Sequence, residues 1–218
     1  MSAASRAGAL SGRSLYLCTP DRPDLGPFLK ACIAGGVDVV QLREKDLEAR
    51  PLLERARLAR EICGEAGVPF LLNDRPDLAL EAEADGVHLG QDDAPPSLAR
   101  RILGPDRLVG LSTHAPEELA VALDEPIDYL SAGPVVPTPT KPGRPGTGVG
   151  YVTAATSVAA EAGLACFVTG GVTPETIPEL ARAGARAFVV VRYLTEASDP
   201  RAAAARLAEA IAAATQGR

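Results

Sequence analysis

Gln41, Arg43 and Lys45 alternate along VVQLREKD, at the end of an apolar, β-branched run. A strand repeats every two residues, so these three share one face while Val40, Leu42 and Glu44 share the other. On an exposed antiparallel strand such a face would simply be solvated. At the C-terminal end of a strand in a parallel, helix-covered sheet it faces a ligand instead. Two cations and an amide suit an anion, either phosphate or pyrophosphate.

Further polar groups follow other apolar runs: Asn73 and Asp74 after VPFLL, Asp92 and Asp93 after GVHLGQ, and Ser112, Thr113 and His114 after RLVGL. Asp74 and one of Asp92 or Asp93 would stand on neighbouring strands, close enough to share a cation. Two hard carboxylates beside Arg and Lys suit Mg2+ bound with a substrate diphosphate, because Mg2+ takes few protein ligands. A competing role for Asp74 is to cap the helix that starts after Arg75-Pro76. His88 and His114 are either hydrogen-bonded structural residues or proton carriers. No Ser/His/Asp or Cys/His combination suggests a covalent nucleophile.

Two glycine-rich segments complete the candidates. GPVVPTPTKPGRPGTGVG, Gly133 to Gly150, is the longest irregular stretch and carries Thr138, Pro139, Thr140 and Lys141. A loop this long is a lid over an anion or a surface linker. Gly170-Gly171, ahead of Thr173-Pro174, lets backbone N–H groups approach a phosphate at a helix start.

The elements that must position these groups alternate along the chain. Strand patterns at Leu15 to Pro20, VDVVQLREK, VPFLLND, GVHLGQ, RLVGLST, IDYLSAG, ACFVTGG and RAFVVV are each followed by a helical pattern. The helices include Pro51 to Ala66, one near Tyr151 to Ala162, and an Ala-rich one from Asp199 to Ala214. Eight strand–helix units indicate βαβ repeats, and so an α/β, single-domain (β/α)8 TIM barrel with its active site at the C-terminal strand ends. An open doubly wound sheet is the alternative, but no GxGxxG follows the first strand. The expected organisation is a flexible tail over 1–13 and a barrel over 14–218. The last helix either covers the barrel or pairs with a second subunit, which would make a homo-oligomer.

A 218-residue chain that is 46% hydrophobic can bury a large core. Its net charge of -6 argues against nonspecific nucleic-acid binding, though a local basic cluster can still hold a small anion. No apolar run is long enough for a membrane, and MSAASRAGALSGR lacks the apolar centre of a signal peptide, so a cytoplasmic location is expected. Cys18, Cys32, Cys63 and Cys166 are widely spaced and read as reduced thiols in core or semi-core positions.

Taken in order, QLREKD, LLNDRPDLAL, ADGVHLGQDD, GLSTH, DYLSAGPVVPTPTK and TGGVTPETIPELARAGA with VVV after it resemble the thiamine phosphate synthase family, from about Leu15 to about Pro200. The resemblance implies a transferase that joins hydroxymethylpyrimidine diphosphate to hydroxyethylthiazole phosphate, releasing pyrophosphate. By this resemblance Gln41, Leu42, Arg43, Glu44, Lys45, Asn73, Ser112 and Lys141 hold the pyrimidine diphosphate, with Arg43, Lys45, Ser112 and Lys141 catalytic. Asp74 and Asp93 bind Mg2+; the choice of Asp93 over Asp92 comes from the resemblance alone. Thr138, Pro139, Thr140, Gly171, Val191 and Arg192 hold the thiazole phosphate. The chain departs from the family at Arg192, where Ser is usual, and at Thr169, where the turn reads Val-Thr-Gly-Gly in place of Ile-Gly-Gly. Rival readings are a thiazole tautomerase, a non-catalytic sensor of thiamine precursors and a sugar-phosphate epimerase. None of them calls for both the cationic strand end and the paired aspartates.

Overall fold

The computed structural model describes residues 8–138 and 145–215. Its eight parallel strands are β1 Leu15–Thr19, β2 Val39–Leu42, β3 Phe70–Asn73, β4 Gly86–Leu89, β5 Leu108–Thr113, β6 Tyr129–Ala132, β7 Ala165–Thr169 and β8 Ala187–Val190. They close in sequence order, with β8 paired back onto β1 at Leu15↔Phe188. The expected (β/α)8 barrel is the observed fold.

The pleat splits the core into two layers. Leu17, Val40, Leu42, Leu72, Val87, Leu111, Val168 and Phe188 face outward and pack against the helices. Tyr16, Val39, Leu71, Leu108, Tyr129, Phe167 and Val189 face inward and fill the barrel. Inward residues further toward the C-terminal ends are polar: Gln41, Asn73, His88, Ser112 and Ser131 are all buried. That change from apolar to polar along one face of the sheet prepares a site at the C-terminal rim.

Helices Leu25–Ala34, Ala49–Glu65, Pro76–Glu81, Pro96–Leu103, Pro116–Ala122, Gly148–Glu161 and Ile177–Arg182 connect the strands. Pro76, Pro96 and Pro116 each open a helix, where a missing N–H costs nothing and a fixed φ helps. In Ala49–Glu65 the buried residues Leu52, Ala56, Ala59, Ile62 and Cys63 recur at three- and four-residue spacing, which fixes the face it turns to the sheet. The Ala-rich helix, Pro200–Thr215, buries Ala203, Ala204, Leu207 and Ile211. It lies so close to the first helix that a Cβ on Gly35 would fall 2.3 Å from Arg201 O, so the last helix covers the barrel.

At the opposite end of the barrel three aspartates tie neighbouring strands together. Asp38, just before β2, accepts the N–H groups of Ser14 and Leu15. Asp85, before β4, accepts that of Phe70, and Asp128, before β6, that of Val109. Each also donates its own N–H back across the same pair of strands, to Leu15, Phe70 and Val109. The expected domain boundary at residue 14 falls within packed chain, because residues 8–10 form a helical turn and Leu10 is buried against the barrel interior. The short helix Arg192–Thr195 after β8 was not foreseen in the sequence. Among the described residues no helix is long and apolar enough to cross a membrane.

Candidate active site

The C-terminal rim opens into a cleft of about 1000 Å³. Its floor is a chain of buried hydrogen bonds crossing six strands. Ser112 Oγ lies 2.9 Å from His88 Nε2, and His88 Nδ1 lies 2.8 Å from the Tyr129 hydroxyl. Tyr129 meets the Tyr16 hydroxyl at 3.1 Å, and Tyr16 donates to Gln41 Oε1 at 3.0 Å. Gln41 Nε2 then donates to Asn73 Oδ1 at 2.6 Å. Asn73 Nδ2 ends the chain: the residue lines the cleft, and this buried nitrogen has no hydrogen-bond partner. A buried donor without a partner costs about 1–3 kcal/mol, so this position is organised to meet an acceptor. Burial pushes the phenols of Tyr16 and Tyr129 well up, so both remain hydroxyls that donate and accept.

Gly110 makes this floor fit. A Cβ there would lie 2.0 Å from Tyr129 Cζ, so the phenol ring rests against bare backbone of β5. Tyr129 also stacks on His88, with ring centroids 5.6 Å apart.

Charged groups stand above the floor. β2 ends at Leu42, and Arg43 and Lys45 leave it into the cleft. Lys45 Nζ pairs with Asp74 Oδ2 at 2.8 Å. Asp74 takes a left-handed backbone, φ 62°, and the helix Pro76–Glu81 has no side-chain cap. The carboxylate is thus turned into the cleft, and the capping role is ruled out. Burial and then the neighbouring Asp93 carboxyl raise the Asp74 pKa, against the pull of Lys45. Asp93 is held low, its own burial outweighed by its contact with Asp74 and by the Gly90 N–H, which it accepts at 2.8 Å. Asp93 is therefore the carboxylate that faces Asp74. Asp92 lines the same cleft. Two facing carboxylates that repel each other, with Lys45 beside them, fit a small hard cation that takes few protein ligands. Among the described residues no third His, Cys, Asp or Glu joins them.

The opposite wall comes from β6, β7 and β8. Thr138, Thr169, Gly171, Val191 and Arg192 line it. Gly170 and Gly171 have φ of 96° and 76°, a region costly for side-chain-bearing residues. A Cβ on Gly170 would also strike Pro134 at 2.5 Å. Thr176 Oγ1 closes the turn, accepting the Thr173 N–H and donating to Gly171 O. His114 Nδ1 sits 2.8 Å from Glu118 Oε2 at the rim.

Two residues expected in the pyrimidine set have side chains elsewhere. Leu42 belongs to the outward layer, because the pleat sends it opposite to Gln41 and Arg43. The Glu44 carboxylate accepts the Asp21 and Asp46 N–H groups and braces the loop after β2. Pro139, Thr140 and Lys141 lie outside the described residues. Tyr16, Tyr129 and Ser131 were not foreseen as part of the site. The signal for them was a hydroxyl at an inward position of LYLCT and DYLSA.

A sequence profile described as thiamine monophosphate synthase matches residues 15–194. The chain belongs to the thiamine monophosphate synthase family. It is 46% identical over 215 residues to a thiamine-phosphate synthase of Mycobacterium sp. (strain KMS), covering 93% of this chain and 94% of that one. It is 47% identical over 220 residues to the Mycobacterium tuberculosis (strain CDC 1551 / Oshkosh) thiamine-phosphate synthase, covering 94% and 97%. A thiamine phosphate pyrophosphorylase from Pyrococcus furiosus superposes with TM-score 0.83 at 27% identity, covering 97% of this chain and 99% of that one. Membership of this family makes the chain an enzyme, a transferase of thiamine biosynthesis acting on small molecules.

Proposed function

We propose that the cleft couples hydroxymethylpyrimidine diphosphate to hydroxyethylthiazole phosphate, forming thiamine phosphate and pyrophosphate, and that Asp74 and Asp93 hold Mg2+ there. The observation that carries the reading is the placement of Asn73 and Asp74. One residue offers a buried, unpartnered amide donor to an aromatic ring nitrogen. The next turns its carboxylate toward Lys45 and Asp93 at the rim, where the ring's diphosphate would lie.

The chemistry follows from that division. The pyrimidine ring sits on the polar floor, and its methylene carbon carries the diphosphate toward Arg43, Lys45 and, on the resemblance, Lys141. Mg2+ held by Asp74 and Asp93 would supply positive charge against the charge that grows on the departing pyrophosphate. The cations of Arg43 and Lys45 act in the same sense, in a site already organised for that charge. An aminopyrimidine stabilises a benzyl-type cation, so the carbon–oxygen bond breaks before the new bond forms. The thiazole nitrogen, held from the β6–β8 wall by Thr138, Gly171, Val191 and Arg192, captures the cation. No protein nucleophile is required, and water must be excluded, which is the work assigned to the Gly133 to Gly150 segment.

The test is a coupling assay with purified protein, both substrates and Mg2+, following thiamine phosphate and pyrophosphate. Equal amounts of both products, abolished by EDTA and by Asp74→Ala, support the reading. Folded protein that binds the thiazole phosphate yet forms no product would overturn it.

A further inference from the structure

The buried chain from Ser112 to Asn73 has a sense that can be read by counting protons. Gln41 Nε2 donates to Asn73 Oδ1, so Gln41 Oε1 faces Tyr16 and must receive its hydroxyl proton. Tyr16 has no second proton, so in its 3.1 Å contact Tyr129 is the donor. The Tyr129 proton being committed, its oxygen accepts from His88 across 2.8 Å, and the imidazole proton is on Nδ1. Nε2 is then a lone pair that receives the Ser112 hydroxyl proton. Six side chains, each with one donor directed the same way, leave the Asn73 amide N–H as the unspent donor, on a residue that lines the cleft.

The reverse order is also self-consistent, but only with both amides turned over, the other histidine tautomer, and Asn73 Oδ1 in the cleft. The orientation found at the amide pair, with Gln41 Nε2 on Asn73 Oδ1, is the first of the two. Because each bond fixes the next, the choice at Asn73 is carried to His88.

We infer that His88 and Tyr129 are positioning residues that lock the Asn73 amide as a donor to the pyrimidine ring, with His88 held as the neutral Nδ1–H tautomer. Only the identity of the ring rests on the proposed function; the proton order does not.

The experiment is long-range ¹H–¹⁵N correlation on uniformly labelled, ligand-free protein, which separates the two neutral tautomers and the imidazolium. The chain has 2 histidines, so His114→Gln assigns the pair. A neutral His88 protonated on Nδ1 is the expected result. An Nε2-protonated or doubly protonated ring overturns the inference. Tyr129→Phe should move His88 toward the Nε2–H form and raise KM for the pyrimidine diphosphate about tenfold, while KM for the thiazole phosphate stays within about twofold. Equal rises in both constants would overturn the positioning role. The tautomer spectrum distinguishes two kinds of failure. An Nδ1–H ring in a protein without coupling activity defeats the proposed function alone, and the other tautomer in an active enzyme defeats this inference alone.

Discussion

Lys45 Nζ sits 2.8 Å from Asp74 Oδ2, and Asp93 faces the same carboxylate from the β4 side. In the absence of ligand, one lysine therefore offsets part of the repulsion between two carboxylates. The raised pKa of Asp74 means that its charged form is disfavoured by folding. The sign follows: its contribution to stability is present below the unfolded carboxylate pKa and lost as pH rises through the folded value. Asp74→Asn should thus raise the Tm of the metal-free protein at neutral pH, on the order of 1–3 °C. Asparagine also accepts the left-handed backbone. The same variant should lose the added stability that Mg2+ with pyrophosphate gives the wild type. Thermal scans with and without these ligands decide it, and a lower Tm in metal-free Asp74→Asn would contradict the electrostatic account.

Tyr129 occupies the space that a side chain at Gly110 would need. Gly110→Ala must push the phenol off β5, since the clash is with the ring itself and the ring is fully enclosed. We expect a loss of about 1–3 kcal/mol in stability from overpacking. The larger effect should be on the floor: kcat/KM for coupling should fall more than in Tyr129→Phe, which keeps the ring in place. Urea titration and steady-state kinetics on both variants check the order.

Much of this arrangement was legible in the sequence, and what was missed has a physical pattern. Gln41, Arg43 and Lys45 could be placed on one face because alternation needs only local chain. Leu42 and Glu44 entered the expected site through family resemblance alone, and the same alternation that placed Gln41 turns Leu42 to the helices. Tyr16 and Tyr129 escaped notice because their link is a register effect. LYLCT and DYLSA are far apart in the chain, and only closure of the barrel brings the two hydroxyls to 3.1 Å. The Asp74 capping alternative failed for a backbone reason, the left-handed φ, that spacing cannot reveal. Asp38, Asp85 and Asp128, each just ahead of an even-numbered strand, form a staple pattern visible only once the strands are in register.

Three thiols set an alkaline limit on stability. Burial pushes Cys32, Cys63 and Cys166 up to about 12 from the ordinary value of 9.0. Raised values contribute stability that is intact below the unfolded pKa and is lost as pH climbs toward the folded one. The urea midpoint should therefore fall steeply between pH 9 and 12. Cys63→Ala should flatten that fall by about 1–2 kcal/mol at pH of about 10.5, at the cost of a small cavity present at every pH. Parallel curves for the variant and the wild type would show that the thiol is not a source of the alkaline loss.

Arg192 is one of the two positions, with Thr169, where the sequence was expected to depart from the family it resembles, and its place decides what it can do. It follows Val191 at the end of β8, lines the cleft and is exposed, with Gly171 and Thr173 on the same wall. A guanidinium there can fold over a phosphate bound at the Gly170-Gly171 turn and hold it through two N–H groups, which serine cannot do. The contact would be made equally in the ground and transition states, so it should act on KM rather than kcat. Arg192→Ser, the residue usual in the family, should raise KM for the thiazole phosphate about three- to tenfold, with kcat and the pyrimidine diphosphate KM nearly unchanged. Exposure weakens the interaction through screening, so the effect should shrink as salt is raised. An unchanged thiazole phosphate KM at low salt would assign Arg192 to solvent.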